Sequence, residues 1–299
     1  MTDDDRQGFV FHTPNGDVEM DIDQVKTDAE KGDCDAQYAL AMAYLFGWDV
    51  EEDAELGYAY LRKAVDNGQT EAMTLMVRLF MQGEYNGITS DEAAQLSIKA
   101  AKDSIPDAML YAGLAYMDGV SVPQDYAQAA RYFRNAANKG NSEARVNLAY
   151  LHQEGLGVRK DEAKAFKLYK TAAGADNLNA RFHLGVCYEF GVGTVIDHAL
   201  AAEQYIICAG KGDPIAMERL GHLYTIGFGD QPVDMERAFD LFVQSASSGV
   251  PSAMMMTGYC YLTGNGVEPD VAEARKWLKM AADNDMPEAK ELLSQIAGE

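Results

Sequence analysis

Apolar positions in this chain recur with a period of 36 residues, which lengthens by one residue late in the chain. An alanine leads each period, and apolar residues follow it by four and eight positions, forming one face of a helix. The leading residues are Ala36, Ala72, Ala108, Ala144, Ala180, Ala216, Ala253 and Ala289. The residues eight positions later are Tyr44, Phe80, Tyr116, His152, Tyr188, Tyr224 and Tyr261. A fixed period of this length is typical of a stacked array of helical repeats.

Each period predicts two helices, a helix A that follows the leading alanine and a helix B in the second half. Helix A is expected to end at a glycine, because a left-handed C-cap favours a residue without Cβ. These glycines are Gly47, Gly83, Gly119, Gly155, Gly191, Gly227 and Gly264. Helix B is expected to begin at a short side chain that accepts an N–H of the first turn. These capping residues are Asp53, Thr89, Asp125, Asp161, Asp197, Asp234 and Asp270.

The interior of each repeat is predicted to combine a small residue of helix A with a large residue of helix B. Small side chains let neighbouring helices approach closely, and they occur at Ala41, Val77, Gly113, Ala149, Gly185, Gly221 and Gly258. The large side chains expected to fill the space are Tyr60, Tyr132, Tyr169, Tyr205, Phe242 and Trp277.

The domain organisation follows from this register. Residues 35–287 hold seven repeats, residues 21–34 form an N-terminal capping helix, and residues 288–299 form a C-terminal capping helix. Residues 1–20 do not share the repeat; the Asn15-Gly16 dipeptide favours a small hairpin, and a frayed tail is the alternative. The fold class is therefore all-α, an α/α solenoid.

Two stretches carry a resemblance to a known family. Residues 253–270, AMMMTGYCYLTGNGVEPD, and residues 180–197, ARFHLGVCYEFGVGTVID, match the motif A-x-x-x-L-G-x-x-Y-x-x-G-x-G-V-x-x-D except at Thr257 and Thr194. The chain thus resembles the Sel-1-like repeat family, which is related to tetratricopeptide repeats. The second repeat departs most, with Val77 and an EYNGIT loop. The resemblance implies a right-handed superhelix and a non-enzymatic adaptor that holds a protein in its concave groove.

Charge narrows the class of partner. The net charge is −22, from 47 acidic and 25 basic residues. Such a surface repels phosphates, so nucleic acid and anionic membranes are not expected partners, whereas basic peptides are. The N-terminus lacks the basic start and apolar run of a signal peptide, and no stretch has the length of a membrane span. Four cysteines without paired spacing favour a reducing cytoplasm.

In the related tetratricopeptide arrays, helix A lines the concave wall, which here predicts two rows that vary between repeats. One row is Tyr38, Thr74, Leu110, Val146, Phe182, Glu218 and Met255, and the other is Met42, Arg78, Leu114, Tyr150, Val186, His222 and Tyr259. The candidate binding residues are Tyr38, Met42, Arg78, Leu114, Tyr150, Phe182, Val186, His222 and Tyr259. An acidic rim is expected at Asp35, Glu71, Asp107 and Glu143. These patterns indicate a client with apolar anchors and flanking basic residues.

Three alternatives stay open at this point. The same rows can pack between repeats or at a homodimer seam, and groove carboxylates can support a hydrolase. His183 and Cys187 share one face of helix A, and Cys208 of helix B can lie near them, but no fourth metal ligand is identified. Both cysteines stand where other repeats have Ala or Leu, so buried free thiols are favoured. No metal and no cofactor are predicted, and His152 is expected to be a partly buried packing residue.

Overall fold

The computed structural model describes residues 9–13 and 16–297, and residues 1–8, 14–15 and 298–299 lie outside this part. Within it, sixteen α-helices follow a two-stranded hairpin, which confirms the all-α repeat class. The strands are β1 (Phe9–Thr13) and β2 (Gly16–Met20). The helices are α1 (Ile22–Glu30), α2 (Cys34–Phe46), α3 (Ala54–Asp66), α4 (Thr70–Met81), α5 (Ser90–Ala100), α6 (Pro106–Asp118), α7 (Tyr126–Asn138), α8 (Ser142–Glu154), α9 (Glu162–Ala173), α10 (Leu178–Phe190), α11 (His198–Ala209), α12 (Pro214–Ile226), α13 (Met235–Ser247), α14 (Pro251–Thr263), α15 (Val271–Asp283) and α16 (Pro287–Ala297).

Of the two possibilities for the N-terminal segment, a hairpin or a frayed tail, the structure shows a hairpin. Strands β1 and β2 pair antiparallel, with Phe9 opposite Met20 and Thr13 opposite Gly16. The turn itself, including Asn15 of the expected Asn-Gly dipeptide, lies outside the described residues. Helix α1 follows, and its buried residues Val25 and Ala29 pack with Leu40 of the first repeat.

Every helix B begins at its expected capping residue. Asp53, Thr89, Asp125, Asp161, Asp197, Asp234 and Asp270 each accept a hydrogen bond from a backbone N–H of the first turn. Asp125, for example, accepts from the N–H groups of Ala127 and Gln128 at 2.9 and 3.0 Å. The short side chains satisfy donors that have no partner within the helix, so the predicted N-cap is confirmed at all seven of these helices.

The loop between helices A and B is closed by a recurrent backbone bond. The backbone N–H of the capping aspartate donates to the carbonyl of the helix A residue that lies eight positions after the leading alanine. In the third repeat, for example, Asp125 donates to Tyr116 at 2.8 Å. Six repeats have this bond, and the other pairs are Asp53 to Tyr44, Asp161 to His152, Asp197 to Tyr188, Asp234 to Tyr224 and Asp270 to Tyr261. The second repeat has a different loop, in which the N–H groups of Glu84 and Tyr85 both donate to the carbonyl of Leu79.

The predicted glycine C-caps of helix A are confirmed in some repeats. Helices α2, α6, α10 and α14 end at left-handed glycines, as predicted. Two repeats depart from the prediction. Helix α4 ends one residue early, with Gln82 as its right-handed C-cap, and Gly83 follows at φ +75°. Gly227 has φ 74° but ψ 156°, because the next loop turns back through mutual hydrogen bonds between Phe228 and Gln231.

Close helix packing explains the small residues of helix A. A Cβ built on Gly185 would lie 2.6 Å from a ring carbon of Tyr205, so only glycine fits against that ring. The fully buried helix B residues at this register are Leu61, Ser97, Phe133, Tyr169, Tyr205, Phe242 and Leu278. The prediction was wrong by one position in three repeats, since Tyr60, Tyr132 and Trp277 are half-buried and the residue after each is the core residue.

The chain divides into two compact units. The first unit runs to Ala144 and includes Leu156–Val158, and the second comprises Arg145–Gly155 and the chain from Arg159 onward. One core cluster of the second unit extends from Val146 to Leu223, and Tyr169, Tyr205 and Cys208 are fully buried in it. Among the described helices, none is both long enough and apolar enough to cross a bilayer.

Candidate partner-binding site

All nine candidate binding residues lie on helix A and none of them is buried. Arg78, Tyr150 and Tyr259 are exposed, and Tyr150 and Tyr259 keep 41% and 39% of their surface. The other six, Tyr38, Met42, Leu114, Phe182, Val186 and His222, are half-buried. Large aromatic side chains at this exposure offer contact area to a partner.

The first predicted row lines the surface only in some repeats. Thr74, Leu110 and Val146 are all buried, with less than a tenth of their surface accessible. At these three positions the prediction of a groove wall was wrong, because the side chains pack into the core. The second row is the accessible one, since each of its members is exposed or half-buried.

In the first unit, the positive charge of Arg78 influences tyrosines of the adjacent helices A. Burial raises the pKa of Tyr38 on α2, and the positive charge of Arg78 on α4 opposes that rise. Burial and then the charge of Asp107 raise the pKa of Tyr111 on α6, again opposed by Arg78. The charge of Arg78 on α4 thus acts on a phenol of the helix A before it and on a phenol of the helix A after it.

The acidic rim takes part in joining successive repeats. The Gln69 amide donates to carboxylate oxygens of Glu71 at 2.7 Å and of Asp35 at 3.4 Å. The Asn141 amide donates to Asp107 at 2.8 Å. An amide is a neutral donor, so these hydrogen bonds add no positive charge beside the carboxylates.

In the second unit, two candidates also support the core. The Phe182 ring lies 5.8 Å from the ring of buried Tyr205, and Val186 packs on the same cluster. Removal of Phe182 would therefore disturb packing as well as any partner contact. The His222 ring lies 5.1 Å from the ring of buried Phe242 in an edge-to-face arrangement. Tyr150 and Tyr259 are thus the cleaner binding candidates in this unit.

Carboxylates near these residues are held by hydrogen bonds and ion pairs. Tyr205 donates its hydroxyl to Glu189 at 2.7 Å, and Arg219 lies 3.6 Å from the other carboxylate oxygen. Burial favours the neutral form of Glu218, but interactions with His222, whose Nε2 lies 3.8 Å from the carboxylate, and with Ser252 and Arg219 outweigh it and lower the pKa of Glu218. A hydrolytic acid needs a raised pKa, so Glu218 does not fit that role.

The cysteines that were considered as metal ligands are buried thiols. Cys187 and Cys208 are free and fully or almost fully buried. Burial raises the pKa of Cys187 to about 12 and that of Cys208 to about 11, so both stay protonated at neutral pH. Among the described residues, no cluster of three or more His, Cys, Asp or Glu side chains is arranged to hold a metal ion.

His152 is buried, with Nδ1 3.3 Å from the carbonyl of Arg159.

Sequence reasoning missed one feature of the first unit, an apolar cavity of about 220 Å³ at the second repeat. Its lining includes Val77, Ser97, Tyr111 and Leu114. A signal for it exists in the sequence, since Ser97 stands where the other repeats carry Leu, Phe or Tyr.

Known proteins match the chain over most of its length. The family model "Sel1 repeat" matches residues 34–69, 106–141, 142–177, 178–206, 214–250 and 251–286. A protective antigen from uropathogenic Escherichia coli with an SLR fold is similar at 27% identity and a TM-score of 0.76, over 93% of this chain and 59% of that one. A Sel1 repeat protein from Oxalobacter formigenes is similar at 27% identity and a TM-score of 0.69, over 92% of this chain and 79% of that one. This chain therefore spans about three fifths of the Escherichia coli antigen. No curated protein matches it.

Proposed function

Because this chain belongs to the Sel1 repeat family, whose members generally act as protein-interaction scaffolds, we propose that it binds a client protein or peptide through helix A. The observation that carries the proposal is the accessibility of the second row. A residue that only packs between repeats would be buried, whereas Arg78, Tyr150 and Tyr259 are exposed.

The residues in this row differ from repeat to repeat while the packing and capping positions recur. Arg78, Tyr150, His222 and Tyr259 occupy equivalent positions yet differ in charge and size. Such variation at accessible positions suits recognition of one particular partner. Tyrosine and arginine are also the residue types that most often dominate binding energy at interfaces.

The client that fits this surface carries apolar anchors and basic residues. The net charge of −22 attracts cations, and the rim carboxylates Asp35, Glu71 and Asp107 have neutral amides as hydrogen-bond donors. We place the complex in a reducing compartment such as the cytoplasm, a location that the four free cysteines support. The role proposed for the chain is binding without catalysis.

A capture experiment with matched variants tests the proposal. The intact protein and a Tyr150→Ala/Tyr259→Ala variant are each used to capture proteins from lysate of the source organism, and mass spectrometry identifies what is retained. The captured protein is then titrated against both forms. We expect the double variant to weaken its Kd by a factor on the order of 100, since two exposed aromatic contacts are lost.

The matched control is Ile206→Ala/Ile207→Ala, which removes two exposed apolar side chains from helix B. It should bind the client as the intact protein does. If the helix B variant loses the client and the helix A variant retains it, binding through helix A is refuted. Both variants should melt within a few degrees of the intact protein, because all four side chains are exposed.

A further inference from the structure

The second repeat lacks the large core residue of helix B. Its place is taken by Ser97, which is fully buried and donates its hydroxyl to the carbonyl of Ala94 at 2.8 Å. The facing position of helix A holds Val77, where the third repeat has Gly113 against Phe133. The volume that valine adds over glycine is smaller than the volume of the missing phenyl ring, so part of the interior is left unfilled.

This volume is the cavity of about 220 Å³ between α4, α5 and α6. Its inner wall consists of buried residues, including Val77, Ala93 and Ser97, and its mouth lies beside exposed Met81 and Asp118. The hydroxyl of Ser97 already bonds within its own helix, so the inner wall offers apolar contact. A dry apolar cavity of about 150 Å³ in another protein holds a benzene ring, so this volume admits an aromatic side chain.

The repeat register shows where a ring belongs in this space. Ser97 corresponds to Tyr169, and Tyr111 corresponds to His183. In each case the second residue lies 72 positions, or two repeats, further along the chain. In the second unit the rings of Tyr169 and His183 stack, with centroids 4.9 Å apart and an interplanar angle of 15°. Tyr111 lines the cavity and stands at the repeat position of His183.

We propose that this cavity binds an aromatic side chain of the client, which enters beside Asp118 and stacks on Tyr111. The inference rests on the proposed function, because the ring is supplied by the protein partner. Leu114 of the accessible row also lines the cavity, so the pocket is continuous with the candidate binding surface of the first unit. The carboxylate of Asp118 favours a lysine or arginine next to the aromatic residue.

Filling the cavity gives a test in which loss of binding is not caused by unfolding. The variants Val77→Gly/Ser97→Phe and Val77→Ala/Ser97→Leu copy the residue pairs of the third and first repeats, Gly113 with Phe133 and Ala41 with Leu61. Val77→Gly alone is the control, since it leaves the cavity open. The probes are toluene and two peptides, acetyl-KKFKK-amide and acetyl-KKAKK-amide. Binding is read from saturable amide shifts at residues 77, 97, 111 and 114.

We expect toluene and the Phe peptide to bind the intact protein and the Val77→Gly control and to compete with each other. Both filled variants should fold with a Tm no lower than that of the control and weaken each of these two probes by about 30-fold or more, as removal of an aromatic anchor does. The Ala peptide should bind the intact protein more weakly than the Phe peptide by a similar factor.

Several results would overturn the inference. Failure of toluene to bind the intact protein, or equal binding by a filled variant, removes the pocket. Binding of toluene without competition from the Phe peptide assigns the pocket to a free aromatic molecule instead of a partner side chain. Failure of the proposed function is distinguishable, because Tyr150→Ala/Tyr259→Ala should leave toluene binding unchanged.

Discussion

The second and third repeats have the same pair of helices but fill their interiors differently. In the third repeat, the Phe133 ring packs so closely on Gly113 that an added Cβ would lie 2.5 Å from a ring carbon. In the second repeat, Val77 and Ser97 stand at these positions, and a cavity of about 220 Å³ lies beside them. The helices still form, because the capping bond at Thr89 and the contacts with both neighbouring repeats remain.

The comparison separates what makes the helices from what fits them together. The family model matches the third repeat at residues 106–141 but has no match at residues 70–105, although the structure places α4 and α5 there. The second repeat also has another loop, in which the Tyr58 hydroxyl donates to the carbonyl of Glu84 at 3.0 Å. Helix formation therefore survives the loss of both the interior pair and the common loop.

The largest expected effect comes from giving the third repeat the small residue of the second. Phe133→Ser should lower the free energy of unfolding by about 3–5 kcal/mol, because a fully buried ring is removed and a cavity is left. Urea unfolding followed by circular dichroism measures the change. Tyr132→Ser removes a half-buried ring one residue earlier and should cost less. Equal costs would show that the interior pair has no special weight.

A smaller loss is expected from giving the third repeat the valine of the second. Gly113→Val should destabilise the protein by about 1–3 kcal/mol, because the side chain would overlap the Phe133 ring. In the Gly113→Val/Phe133→Ser variant the overlap is gone, so the double variant should be more stable than the sum of the single losses predicts. A double-mutant cycle in urea measures this coupling, and a coupling of zero would contradict the pairing.

The N-caps of helix B should contribute about equally to the free energy of unfolding in the regular repeats and less in the second repeat. Asp125→Ala is expected to cost about 1 kcal/mol, since Asp125 accepts two N–H bonds at 2.9 and 3.0 Å. Thr89→Ala should cost less, because Thr89 accepts a bond of 3.2 Å. Asp91→Ala, at an exposed position just after this cap, is the control. A loss at Thr89 that matched the loss at Asp125 would argue against the comparison.

The smallest change in stability, within about 0.5 kcal/mol, is expected for Ser97→Cys, because the side chains have similar size. The new thiol should nevertheless react faster with a disulfide reagent at pH 8 than Cys187 and Cys208 do. Those two lie in the filled core of the fifth repeat, where burial raises their pKa to about 12 and about 11. Peptide mapping assigns each reaction, with the intact chain as reference, and protection of residue 97 would indicate a closed cavity.

The raised thiol pKa values also predict a loss of stability in alkali. Cys187 and Cys208 ionise near pH 8.5 in the unfolded chain but only at about 12 and about 11 in the folded one. The folded state therefore holds more protons above pH 8.5, and the free energy of unfolding should fall as the pH rises from 8.5 towards 11. Cys187→Ala/Cys208→Ala should show a shallower fall over this range in urea titrations, and parallel curves would contradict the assignment.

Local features of the repeat could be predicted from sequence because they depend on residues close along the chain. The aspartate caps, and most of the glycine ends of helix A, follow from short-range hydrogen bonding and backbone conformation. One of the two exceptions, at Gly227, depends on hydrogen bonds between Phe228 and Gln231 in the following loop, which no local pattern specified. The accessible row of the candidate site was predicted, but the burial of Thr74, Leu110 and Val146 was not.

The sequence by itself determined the period, the two helices of each repeat and the family, because turn residues and apolar spacing act over a few positions. Only the tertiary structure decided which helix B residue enters the core, which helix A residues stay accessible, and that Ser97 borders a cavity. These outcomes depend on contacts between helices about 20 or more residues apart. How well the core is filled depends on the combined volume of side chains from different helices. Neighbouring positions on one helix point in directions about 100° apart, so only one of them faces the core.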